Sequence, residues 1–168
     1  MLTSNTVKDL LTNVGIPAKS HTWVLPDKSY EPVSRHFICD NWAAWLDARP
    51  SDLIRVRQIG GGKSVREPLW ERESGDCDNL ALGLMVHAQV GNALAAAVRG
   101  NHRGGLAFGV LFYMAGPARQ DNFGIAGGHA INWLITNELT VLFFEPAAGE
   151  FVTLNVQERS SAWFGLAA

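Results

Sequence analysis

The sequence predicts an α+β domain, on three observations. Apolar residues recur at helical spacing in three segments of the first hundred positions, a continuous apolar run and alternating segments follow, and turn residues separate those segments at hairpin spacing. Helices precede strands, so the pattern is not a βαβ repeat and the sheet is expected to be antiparallel. With 168 residues, 47% of them apolar and 18% charged, the chain can bury roughly 70% of the surface its unfolded form exposes. One domain over residues 1–168, with no linker and no internal repeat, is therefore expected.

Residues 1–15 read as an amphipathic helix through Val7, Leu10, Leu11 and Val14, stopped by Gly15 and Pro17. The chain is then loop-like to Pro32. Phe37 to Ala48 carries Trp42, Trp45 and Leu46 at helical spacing and closes at Arg49-Pro50. Gly60, Gly61 and Gly62 make a flexible turn that lacks the flanks of a phosphate-binding loop. A long helix begins near Cys77 and ends at Gly100. Its stretch from Leu80 to Val98 has no formal charge, yet His87, Gln89, Asn92, Gly83 and Gly91 suit a helix buried in protein rather than one facing lipid. Leu106 to Met114 is a buried strand, and Pro117 to Gly128 a polar connection. Three strands follow, His129 to Ile135, Thr140 to Phe144 and Phe151 to Val156, with hairpin turns at Asn137-Glu138 and Ala148-Gly149.

Composition narrows the function classes. Lys and Arg number 14 against 16 Asp and Glu, a net charge of −2, and the arginines are scattered, so neither nucleic acid nor an anionic membrane is an expected partner. The first residues lack a basic segment followed by an apolar one, so no leader is expected; the reading is a cytoplasmic protein with free thiols at Cys39 and Cys77. Cys39 is expected to be a packing residue. No histidine stands at metal-ligand spacing from either cysteine.

Chemistry concentrates in three short segments. Glu73 to Ala81 places Cys77 where a glycine-containing loop turns into the long apolar helix. Unpaired N–H groups and the macrodipole at a helix start favour negative charge, a thiolate included, and the same N–H groups can face an oxyanion. Gly127-Gly128-His129 puts an imidazole at the start of a strand, and Glu145 ends the next strand sixteen residues later. Adjacent antiparallel strands would bring the carboxylate to the ring, where it would hold the tautomer that accepts the thiol proton.

Gly75-Asp76-Cys77-Asp78-Asn79, then Gly128-His129-Ala130, then Glu145-Pro146 resembles the transglutaminase-like and papain-like cysteine peptidase superfamily, and most nearly the papain-like protease domain of fungal chimerolectins. The similarity covers residues 70 to 155. It implies a central helix carrying the cysteine, packed on an antiparallel sheet carrying the histidine and the acid. It also implies a cysteine hydrolase, a peptidase or amidase acting on a peptide or protein through a thioester, with Cys77 as nucleophile, His129 as general base and Glu145 as orienting acid. Calcium is implied as an optional cofactor, with Asp76 and Asp78 as its ligands, although Asn79 replaces a second acid and first-turn capping is the alternative role for both aspartates. The glutamine that papain-like enzymes place before the cysteine is missing, and Trp70 or a backbone amide would have to serve the oxyanion. Two further readings stay open: a silent module that binds or assembles, and an acyl-transferring enzyme.

Overall fold

The computed structural model describes residues 1–18, 23–49, 53–58, 64–68, 77–100, 104–116 and 127–167. A two-residue strand, β1 (Leu2–Thr3), leads into α1 (Ser4–Asn13), where the Thr3 side chain accepts the Thr6 N–H and caps the helix. The helix buries Val7 and Leu11, and the chain leaves it through Gly15 at φ +91°. Two short strands, β2 (Trp23–Val24) and β3 (Ser29–Glu31), occupy the stretch that the sequence left as loop. Next comes α2 (Arg35–Asp47), capped by Ser34, whose side chain accepts the Phe37 N–H. The strands β4 (Ile54–Gln58) and β5 (Ser64–Pro68) pair antiparallel; the three glycines between them lie outside the described residues.

The second half is α3 (Cys77–Val98), β6 (Gly105–Leu106), β7 (Phe108–Ala115), β8 (Gly127–Ile135), β9 (Val141–Glu145), β10 (Glu150–Val152), α4 (Val156–Ser160) and β11 (Phe164–Ala167). Six strands form the main sheet in the order β10-β9-β8-β7-β11-β2, and β1, β3 and β6 form a smaller one. The expected all-antiparallel sheet is corrected, because β11 pairs with β2 in parallel and β3 pairs with β6 in parallel. Segments of two or three residues have no periodicity to read, and only their long-range partners make them strands.

Two further elements differ from expectation. The apolar run from Leu106 to Met114 is divided at Ala107, whose N–H donates to the Glu31 carbonyl and whose own carbonyl accepts the Ile135 N–H, so the chain changes sheets there. The strand expected to reach Val156 stops at Val152. Asn155 then caps α4 in a reciprocal pair with Glu158, and the second oxygen of Glu158 accepts the Gly116 N–H.

Successive side chains of a strand point to opposite faces, and both faces of the main sheet are covered. Val110, Leu134 and Phe144 pack with Ile38 of α2 and Leu80 and Leu84 of α3. Leu111, Ile131 and Trp133 pack with Val7 and Leu11 of α1. From His129 to Ile135 every residue of β8 is buried, so the alternation read as half-solvated is an alternation between two cores. Two side chains fix α3 on the sheet. Asn132 donates to the carbonyls of Ala81 and Gly109, and Gln89 donates to those of Leu106 and Phe108 while accepting the Leu106 N–H. The helix is long and apolar enough to cross a membrane by length and composition. One face of the helix is buried in the core, and Val86, Val90, Leu94 and Val98 on the other are exposed.

Candidate functional site

The main sheet and α3 position three of the residues that sequence motifs single out. Cys77 is the first residue of α3 and is half-buried against the α3 core. His129 is the third residue of β8, and Glu145 the last of β9. In the β8–β9 register Asn132 faces Phe144; one step further sets Glu145 across from Ile131 and diagonal to His129, a span that long side chains bridge. They do so here: His129 Nε2 lies 2.7 Å from Glu145 Oε2, with both side chains fully buried.

Glu145 is held from both sides. Its Oε1 accepts the Ala147 N–H at 3.2 Å, and its carbonyl accepts the N–H groups of Ala148 and Gly149, closing a tight turn that Gly149 completes at φ +72°. The ring of His129 meets Tyr113, its partner across β7, edge-on with centroids 5.5 Å apart. The other ring nitrogen, Nδ1, is buried and makes no closed hydrogen bond, and the Cys77 thiol lies close enough to interact with the ring.

Burial alone would disfavour a charged imidazole. Hydrogen bonds to Cys77 and Glu145, together with their charges, outweigh that cost and push the His129 pKa up to about 9. At neutral pH the ring therefore carries a proton on each nitrogen, donating Nε2–H to Glu145 and keeping Nδ1–H for the sulfur. A thiol in such contact with an imidazole can leave its proton on the ring, and the sulfur is then a nucleophile.

Trp70 and Asp76 lie outside the described residues. Asp78 sits in the first turn of α3, where its charge complements the helix dipole. Among the described residues no group of three or more His, Cys, Asp or Glu side chains is arranged to hold a metal ion. Cys39, expected to be packed, is exposed on α2. Two residues with no motif of their own matter to the site. Tyr113 lies in an apolar run and meets His129 only through strand register, while Trp42, on α2, donates its indole N–H to the Pro146 carbonyl at 2.9 Å across 104 positions of chain.

No protein-family model matches the chain, and no curated protein matches it. Solved structures do. One is a complex of PSL1a with E64, at a TM-score of 0.58 and 24% identity over 98% of this chain and 50% of that one. Another is Polyporus squamosus lectin bound to the human-type influenza-binding epitope Neu5Acα2-6Galβ1-4GlcNAc, at a TM-score of 0.56 and 24% identity over 96% of this chain and 48% of that one. The chain thus spans about half the length of each and shares its fold with that half. The likeness to these structures, one of them described as a lectin, corrects the resemblance drawn from the motifs. The papain-like and transglutaminase-like fold assignment, the cysteine peptidase or amidase activity and the peptide or protein substrate are all withdrawn on that finding. Motifs of two to five residues specify a helix start and two strand positions, which is too little chain to specify a family.

Proposed function

We propose that this chain is a ligand-binding module with a reactive thiol at Cys77, which captures an electrophilic ligand. The observation that carries this reading is the buried His129–Glu145 pair at 2.7 Å with the Cys77 thiol against the ring. The imidazole carries a proton on Nδ1, on the side of the sulfur. When sulfur bonds to the electrophilic carbon of the ligand, that proton passes from the ring to the ligand atom that takes up the displaced electron pair. The reading is one of stoichiometric capture, and turnover forms no part of it. Limiting iodoacetamide at pH 7, read by peptide mass spectrometry, should label half-buried Cys77 before exposed Cys39, and His129→Ala should abolish the preference. E64, the ligand in the PSL1a complex, is the second probe. Equal labelling of both thiols in the folded protein would sink the proposal.

A second reading is glycan binding, favoured by the sialylated epitope bound to Polyporus squamosus lectin. An open pocket of about 430 Å³ between the start of α2 and the β8–β9 turn offers Arg35, His36, Thr136, Asn137 and Thr140 to an acidic sugar, with Glu138 also on its wall. Calorimetric titration with that trisaccharide should give saturable heat that Arg35→Ala weakens. No heat up to millimolar sugar would end this reading and leave the thiol proposal standing.

A further inference from the structure

Glu145 can serve His129 only while the turn that follows it keeps its shape. The carboxylate is 0% exposed and divides its two oxygens between His129 Nε2 and the Ala147 N–H. Ala147 belongs to the turn from 145 to 149, so the direction of its N–H depends on the whole turn. Backbone bonds within the turn run from Ala148 and Gly149 to the Glu145 carbonyl. From outside, Trp42 of α2 grips it twice. Its indole N–H donates to the Pro146 carbonyl at 2.9 Å, and its six-membered ring lies so close to Gly149 that a Cβ there would stand 2.6 Å from it. The ring is itself set edge-on against Phe144, the residue before Glu145, at 6.4 Å. Phe144 in turn meets Phe151, over which the Arg35 guanidinium lies at 4.9 Å. An aromatic side chain half-buried on a helix thus holds both sides of the residue that orients His129.

We infer that Trp42 is a positioning residue for this site: its indole N–H and ring hold the 145–149 turn so that both oxygens of Glu145 stay engaged, one with the ring of His129. The inference rests on the thiol reading above and adds a residue that touches neither the sulfur nor the imidazole. Without the Trp42 N–H the Pro146 carbonyl turns to water, the Ala147 N–H leaves Oε1, and the carboxylate is free to rotate away from Nε2. Among the described residues, the titratable groups facing His129 are Glu145 from β9, the Cys77 sulfur from α3 and the Tyr113 phenol of β7, so a change in Glu145 is felt directly by the ring.

The test is Trp42→Phe, which keeps an aromatic ring and removes the donor. Two readouts are followed on the folded full chain: the His129 ring-proton titration by NMR, and the rate of Cys77 alkylation by iodoacetamide against pH, with Cys39 as internal reference. The expected result is a His129 midpoint lower by about one unit and a Cys77 rate at pH 7 lower by about tenfold. Trp42→Leu, which keeps apolar bulk and removes the donor, should move both readouts in the same direction and serves if Trp42→Phe does not fold. A purely structural role predicts a lower unfolding midpoint with both readouts unmoved, and that result overturns the inference. If wild-type Cys77 shows no preference over Cys39, the thiol reading itself has failed, which this design separates from a failure of Trp42.

Discussion

Glu145→Gln is expected to lower the unfolding free energy by roughly 1–2 kcal/mol near pH 6 and by far less above pH 9, because Glu145 shares with Cys77 the raising of the His129 pKa. His129 has a pKa of about 9 in the folded protein against a usual 6.5. A group whose pKa is raised by folding contributes stability that is complete below the unfolded value and is lost as pH rises through the folded one. Wild-type stability should therefore hold up to about pH 6.5 and decline through pH 9. Glutamine keeps the shape of glutamate and can still accept the Ala147 N–H, so the cavity and the turn are spared and the loss reports the charge. Removing one partner of a buried ion pair leaves the other charged group without its counter-charge, which is why the effect is large while an exposed pair such as His36–Asp40 contributes little. Urea unfolding midpoints across pH 6 to 10 test it. A wild-type profile flat in pH, or a variant displaced by the same amount throughout, would show that His129 is not held charged by Glu145.

Gly109→Ala should destabilise the protein by roughly 3 kcal/mol, through a collision that no side-chain rotation relieves. Gly109 lies in β7 opposite Trp133 of β8 and beside Leu166 of β11. A Cβ there would stand 2.0 Å from the Leu166 carbonyl oxygen and 2.7 Å from the Trp133 indole. The oxygen belongs to the β7–β11 ladder, so it can move only if the ladder opens. Two other glycines calibrate the result. At Gly165 the obstacle is the Trp23 ring, and at Gly127 nothing lies within 4 Å and only the positive φ of +83° resists a side chain, a strain of roughly 1–2 kcal/mol. Thermal unfolding of the three alanine variants should rank Gly109 as the most costly. If Gly109→Ala costs no more than Gly127→Ala, β11 does not approach β7 in the way described.

Helices were the most legible part of the fold. The stops at Gly15 and at Arg49-Pro50 and the apolar spacing in α1, α2 and α3 are all local, and local signals act before any long-range contact forms. The strands β8 and β9 were legible for the same reason, through turn residues and hydrophobic runs. By contrast β2, β3 and β11 are too short to have a pattern, and α4 was hidden because its capping asparagine follows a strand-like run. The opposite error arose for the chain as a whole, where short motifs around Cys77, His129 and Glu145 pointed to a peptidase family and the neighbours of the complete fold are lectin structures.

By itself, then, the sequence determined a helix starting at Cys77, a strand starting near His129 and a second strand ending at Glu145, since each depends on residues a few positions apart. Tertiary structure decided the rest. The 2.7 Å contact between His129 and Glu145 follows from the β8–β9 register; the approach of Cys77 depends on Asn132 and Gln89 seating α3 on the sheet; and the clamp on Glu145 comes from Trp42, more than a hundred positions away. Contacts of that range are selected by packing and by the pairing of buried polar groups. No local window of residues contains them.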